Sequence, residues 1–406
     1  MRVQGDEHVR DKPDSQRLSI RILKWFCVLF PVSYVIAIQY FLTLYVWYAE
    51  VRLNDFGRFL WTAKQMWGGD PDPYAPGVHT LAMTVGEQQH LLDMNPPQFH
   101  LLLYPLLGLS NEVAAGIWLL MQMLAWIASL ALIQRTLGLA GMTVRTRVGL
   151  LFLILLATPT IATLVTGQFT FILLLLVTLG WRDIRAKRWV RGSVFFGIGL
   201  GVKAFFLILL PWFLLRRKWA AAGTFLGTAA SMYLLGYILH GPNVMASWMR
   251  ALHSVHWLWL PMNASLPGFL DRVFDHSHYF IPLVDWSGHM FLLQAAFCGI
   301  AGFVTVRAVA RSAGKDVDHE LAVLLVSSQL LQPLGFFYLF PRHPFFTMTS
   351  GSVYFWALFA LWLALILFPR CDEERNGASK HLDARKPCSD GSFRNLSVLA
   401  AEECDE

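Results

Sequence analysis

Directly after a long apolar run the chain reads Glu50-Val-Arg-Leu-Asn-Asp55-Phe-Gly-Arg58. A carboxylate at the end of a membrane helix sits at the boundary between bilayer and water. There it can act as a general base on a polar acceptor while a lipid-borne donor stays in the bilayer, because a base must reach the proton it removes. Asp55 is the candidate base, and Arg58, one helical turn on, a candidate anion partner. The structural alternative is that Asp55 caps a helix beginning at Phe56, a role Asp often takes; capping does not exclude catalysis. Lys203 is the lone charge between Arg191 and Arg216. An ionisable residue inside an apolar segment suggests function, here holding the phosphate of a lipid phosphate; the alternative is snorkelling toward the interface.

Asp70-Pro-Asp72 has the spacing of an acidic pair that binds a divalent metal and the phosphates of a nucleotide sugar. The surrounding Trp67-Gly-Gly-Asp-Pro-Asp-Pro-Tyr74 spells a turn, whose acids are ordinarily just solvated. Six of the 13 histidines fall within residues 240–289. Neither His253-x-x-His256 nor His276-x-His278 has an acidic or Cys partner at ligand spacing, so no metal site and no cofactor are expected. His343, between Arg342 and Pro344, is a candidate substrate contact or a polar helix end. The 16 Trp read mainly as interfacial anchors. Walker A, GxSxG and HExxH patterns do not occur.

These residues need a scaffold, and composition says which kind. Of 406 residues, 55% are apolar and 15% charged, with a mean hydropathy of +0.47. Soluble domains are roughly 45–50% apolar and about 25% charged, so a soluble enzyme is excluded and an all-α polytopic membrane protein is expected. The net charge of +6 reads as orientation, with basic loops on the cytoplasmic side, not as a nucleic-acid partner. A crossing helix needs about 20 apolar residues. Runs that qualify are Trp25–Ala49, Val113–Gln134, Ala220–Met249, Trp286–Val306, Leu321–Pro341 and Pro344–Pro369. Val148–Trp181 would be about 51 Å long as one helix, so it divides at Pro159 and Gly167 into helices near 148–165 and 168–181.

Gly192–Leu215 is flanked on both sides by basic clusters, Arg182 to Arg191 and Arg216 to Lys218. A single crossing would place one cluster on the wrong side of the membrane. The segment is therefore expected to be a hairpin of two short helices turning near Lys203, buried among longer helices. The resulting bundle has about ten transmembrane helices and two long external loops, after helix 1 (about 50–97) and near 241–286. The first loop carries six acids against three bases. Pro96–Leu109, apolar but short, is placed as a helix at the outer surface. Residues 1–24 form a cytoplasmic N-terminal segment, 25–369 the transmembrane catalytic domain, and 370–406 a disordered cytoplasmic tail.

Several short motifs, in order, resemble the GT-C glycosyltransferases that use polyprenyl-phosphate sugars, specifically glycosyltransferase family 87, which includes mannosyltransferases. They are Asp55-Phe-Gly with Gly69-Asp-Pro-Asp-Pro-Tyr74, Asn95-Pro-Pro-Gln-Phe with Tyr104-Pro-Leu, and Thr166-Gly-Gln-Phe169. Gly197-x-Gly-x-Gly-Val-Lys203, Asn263-Ala-Ser-Leu-Pro-Gly-Phe-Leu-Asp-Arg272 and Gln332-Pro-Leu-Gly-Phe-Phe-Tyr338 complete the set. The resemblance implies a GT-C-like bundle in the bacterial plasma membrane, with its site on the extracytoplasmic side. It implies a polyprenyl-phosphate-linked hexose donor, mannose above all, a glycolipid or polysaccharide acceptor, and inversion at the anomeric carbon. The resemblance carries the catalytic base onto Asp55 and places Gln168 and Lys203 at the donor phosphate; Arg58, read above as an anion partner, joins them, and Asn95, Asn263, Tyr338 and His343 are candidate substrate contacts. The family's Tyr-Pro-Pro is Asn95-Pro-Pro here and its Lys-Pro is Lys203-Ala204. Two other classes stay open: a transporter or flippase of lipid-linked sugars, which would make no product, and a non-catalytic protein of the same fold.

Overall fold

The computed structural model describes residues 54–75, 93–138, 166–254, 265–276, 282–312, 316–331 and 353–367, with isolated positions between 141 and 164. Among the described residues all regular structure is helical. The helices are α1 (Asn54–Trp67), α2 (Pro97–His100), α3 (Asn111–Thr136), α4 (Thr170–Arg185), α5 (Trp189–Val202), α6 (Leu209–Leu215), α7 (Trp219–Ser254), α8 (Leu266–Phe274), α9 (Met290–Arg311), α10 (Val317–Leu331) and α11 (Val353–Leu367), with 3-10 turns at Leu101–Leu106, Ala204–Ile208 and Ser287–His289. Asn111–Thr136, Trp219–Ser254 and Ser287–Arg311 are long and apolar enough to cross a membrane. Large apolar side chains such as Ile238 and Phe303 point outward from them, as lipid-facing side chains do. The expected count of ten rests partly on segments outside the described residues, Trp25–Ala49, most of 148–165 and 332–352; the terminal segments 1–24 and 370–406 also lie outside them.

The hairpin over 189–215 is present. α5 ends at Lys203, whose backbone is extended (φ −134°, ψ 115°), and the chain returns through Ala204–Ile208 and α6. Trp189 at the start of α5 lies 5.4 Å, ring to ring, from Trp212 near the end of α6, and Phe196 packs on Phe206 midway. Both ends of the segment therefore lie at one end of the bundle and Lys203 at the other. At 14 residues, α5 is about 21 Å long, too short to cross.

Glycine lets neighbours close on it. A Cβ at Gly197 would lie 2.7 Å from the Phe225 carbonyl oxygen and 2.7 Å from Thr228 Cβ, both on α7, and one at Gly192 would lie 2.8 Å from the Gly180 carbonyl oxygen on α4. Close backbone approach of this kind is how membrane helices gain packing without a hydrophobic drive. Gly197 facing Thr228 and Gly201 facing Met232 set α5 and α7 parallel, with Lys203 level with the residues just beyond Met232.

Buried acids tie the basic ends together. Asp183 is fully buried and Arg191 Nε lies 2.9 Å from it, with Arg182 and Arg188 at 3.6 Å. Glu320, also fully buried, accepts from Trp212 Nε1 (2.7 Å) and Arg216 Nε (2.8 Å), and Trp181 Nε1 donates to Asp318 (2.8 Å). Asp183 is thus offset by three guanidinium charges and Glu320 by a cation and N–H donors, without which such burial would be costly. Farther along, Trp362 Nε1 donates to Ser327 Oγ (3.0 Å) and Thr305 Oγ1 (3.2 Å), joining α9, α10 and α11.

The segment Pro96–Leu109 does not span. It folds as α2, whose Pro97, Gln98, Phe99 and His100 are all buried, and a 3-10 turn with Leu103 and Leu106 buried but Leu102, and Leu109 just after it, exposed. α7 bends at Gly241 (φ 79°, ψ 173°), followed by Pro242. Only glycine adopts that backbone conformation cheaply, and Pro242 brings no N–H. Within the expected external loop near 241–286, the described residues include two helical pieces, the end of α7 and α8.

Candidate active site

Four pieces of chain meet at the Lys203 end of the bundle. Helix α1 begins at Asn54, so Asp55 lies inside the first turn and does not precede it as a cap. Its two carboxylate oxygens instead accept from side chains: Oδ1 from Arg58 Nη2 and Oδ2 from Gln168 Nε2. Arg58 is 8% exposed. Two donors fix the carboxylate's orientation and leave its remaining lone pairs for a third.

Gln168 is set by the turn that opens α4. Gly167 takes φ 72°, its carbonyl accepts from Trp118 Nε1 at 2.7 Å, and the Gln168 N–H donates to the Thr163 carbonyl at 3.1 Å. Phe169 packs on Phe99 (4.4 Å) and Phe59 (6.0 Å). This aromatic cluster pins α1, α2 and the α4 turn to one another beneath the polar groups. Lys203 Nζ lies 5.1 Å from the centre of the Phe169 ring, and Asp93, Asp55 and Arg58 are the charges in its electrostatic reach.

The fourth piece, residues 93–100, holds an arrangement the sequence analysis missed. Asp93 is 3% and His100 0% exposed. Asp93 Oδ2 lies 2.8 Å from His100 Nε2, while Oδ1 accepts from the Asn95 backbone N–H (2.8 Å) and Nδ2 (2.9 Å). Tyr74 Oη donates to the Asn95 carbonyl (2.8 Å) and lies 3.4 Å from His100 Nδ1. Burial alone would raise the Asp93 carboxyl; His100, Arg58 and the Asn95 N–H outweigh it and hold the group below its ordinary value. Burial, reinforced by Asp93, pushes the Tyr74 hydroxyl well above its own. Sequence offered one clue, an isolated His within the apolar stretch 96–109.

Of the expected site residues, Asp55, Arg58, Gln168 and Lys203 converge. Asn95 is nearby but fully engaged through its N–H groups in holding Asp93, and its buried Oδ1 has no hydrogen-bond partner among the described residues. Asn263, Tyr338 and His343 lie outside the described residues. Asp70 and Asp72 belong to the turn: Asp70 Oδ1 accepts from the Asp72 N–H (2.9 Å). Asp72 in turn accepts from Ser247 on α7 and pairs with Arg250 (3.1 Å). With Trp248 Nε1 donating to the Met94 carbonyl (3.1 Å), this fastens the loop to α7 beyond its bend. His240 meets Tyr104 Oη at 3.3 Å, and His276 pairs with Asp285 on the surface.

The ensemble is an oriented carboxylate beside two cations, backed by a buried acid–imidazole pair. It can take a proton from a hydroxyl at Asp55 and stabilise an anion at Lys203. Comparison with curated proteins and with solved structures finds no match. The model of glycosyltransferase family 87 matches residues 94–333, more than half of the chain and a span that holds His100, Gln168 and Lys203, while Asp55 and Asp93 precede it. The chain therefore belongs to glycosyltransferase family 87 and is a glycosyltransferase associated with membranes.

Proposed function

We propose that the protein transfers a hexose, mannose in the first instance, from a polyprenyl-phosphate donor to a glycolipid or polysaccharide hydroxyl, inverting the anomeric centre. Asp55 takes the acceptor's proton as its oxygen attacks the anomeric carbon. The bond from that carbon to the phosphate oxygen breaks, and the lipid phosphate leaves as an anion. Attack from the face opposite the leaving group inverts the centre, as in an inverting glycosidase with a sugar hydroxyl in place of water. Lys203 stabilises the departing phosphate, while Arg58 and Gln168 hold Asp55. The reading rests above all on the convergence of Asp55, Gln168 and Lys203 from three distant stretches of sequence.

The site is at the end of the bundle opposite the basic residues 182–191 and 216–218, and basic loops stay in the cytoplasm. This supports an extracytoplasmic site in the plasma membrane. Purified protein given a polyprenyl-phosphate hexose and a membrane extract should release free polyprenyl phosphate together with a glycosylated acceptor. Movement of intact donor across vesicles with no such release would refute transfer. A cysteine introduced in the first loop beyond position 55 should react with an impermeant reagent added outside cells, and protection there would overturn the orientation.

A further inference from the structure

We propose that Asp93 and His100 form a buried charge-balancing pair that leaves Lys203 free to hold the donor's phosphate; this rests on the reading of Lys203 given above. Neither residue can touch a substrate, since they are 3% and 0% exposed. They act through Lys203, and are positioning residues.

Hydrogen-bond arithmetic, not observed protons, assigns the state of the pair. The single proton of Tyr74 Oη goes to the Asn95 carbonyl, so toward His100 Nδ1 the hydroxyl can only accept, and Nδ1 carries hydrogen. Asp93 Oδ1 accepts two N–H groups of Asn95. A further proton lies between Asp93 Oδ2 and His100 Nε2, 2.8 Å apart. Whichever atom holds it, the pair is neutral as a unit.

That neutrality matters because the 93–100 turn is fastened next to Lys203, Gln98 Nε2 donating to the Gly201 carbonyl (2.5 Å), which brings Asp93 as well as Asp55 within electrostatic reach of the ammonium. With the pair neutral, the charges among the described residues at the site are Arg58 and Lys203 against Asp55, one more cation than anion. A sugar phosphodiester carries one negative charge, so the site complements it. Without the imidazole the surplus vanishes, and Asp93 competes with the phosphate for Lys203. A unit charge several ångströms away at the dielectric of a partly buried site changes anion affinity by about tenfold or more.

The test is binding of a short polyprenyl phosphate, against the uncharged polyprenol, to the full-length protein in detergent at pH 7, where the Lys203 ammonium keeps its charge and a carboxylic acid beside two cations is ionised. His100→Gln should weaken the phosphate about tenfold and leave the polyprenol unchanged. Asp93→Asn removes the competing charge and should bind phosphate no more weakly than wild type. The double variant Asp93→Asn/His100→Gln should recover the affinity lost in His100→Gln, although it lacks more native hydrogen bonds. A purely structural role predicts the reverse, a double variant at least as weak as either single one, and that result overturns the proposal. So does a His100→Gln protein that binds phosphate like wild type. Should His100→Gln fail to fold, Asp93→Asn decides alone, and a tenfold loss in it overturns the proposal. If wild type prefers phosphate over alcohol not at all, the assignment of Lys203 itself falls.

Discussion

Replacing Asp55 with Asn separates chemistry from architecture. The amide nearly matches the carboxylate in shape. Its oxygen can still accept from Arg58, and Gln168 can turn its own amide so that its oxygen meets the new NH2 group. What is lost is charge: the bond to Arg58 becomes an ordinary one, at a cost of about 1 kcal/mol in stability. The same change removes the proton acceptor. General-base assistance is typically worth about 10²- to 10⁴-fold, roughly 3–5 kcal/mol of barrier. Turnover should therefore fall at least a hundredfold while thermal unfolding in detergent shifts only slightly. The assay is release of polyprenyl phosphate by purified protein at saturating donor and acceptor. A variant within about threefold of wild type would show that Asp55 is not the base; a variant inactive because it is unfolded would show that the stability reasoning is wrong.

Three further outcomes follow from the structure. Lys203→Ala should raise the donor KM by up to roughly 100-fold and leave the acceptor KM unchanged, and an equal effect on both would argue against a phosphate contact. Gly197→Ala puts a methyl group against the α7 backbone at Phe225, which cannot yield as a flexible side chain would, and should cost about 1–3 kcal/mol in denaturant or thermal unfolding. The Asp271 carboxyl, on α8, is pushed up to about 6 by burial and by Asp275, with Arg272 opposing. A carboxyl raised in the folded state loses stability as pH climbs from its ordinary value toward the raised one. Asp271→Asn should accordingly stabilise the protein at pH 7.5, by about 1–2 kcal/mol given partial exposure, with no gain at pH 4; an equal gain at both would refute the assignment.

The hairpin was legible because charge placement is a strong constraint: two basic flanks cannot straddle a bilayer, and Lys203 sits at the turn they require. Asp55 was legible from its place after an apolar run, although its hydrogen bonds to Arg58 and Gln168 replace the capping role a first-turn Asp suggests. The Asp93–His100 pair was not legible. Asp93 stood in the sequence as one acid among six in a polar loop, and His100 as an unremarked residue in an apolar stretch. Their pairing depends on an irregular turn closed by Tyr74, and irregular turns carry no periodic signal. The buried position of residues 97–100 escaped for a related reason. Helices this short are placed by what packs around them, here Phe59, Phe169 and Gly236, and not by their own composition.

The brevity of the 189–215 hairpin bears on how the chain enters the membrane. Neither arm is long enough to be handed into lipid alone, and its tip carries a cation. A nascent chain that ends near residue 215 therefore has nowhere stable to put this segment. It can settle only after α7 has been synthesised and offers a surface for the glycines of α5. Biogenesis must hold the segment at the interface until then, so substitutions on the α7 face opposite Gly197 and Gly201 should reduce the yield of inserted protein before they alter the enzyme that results.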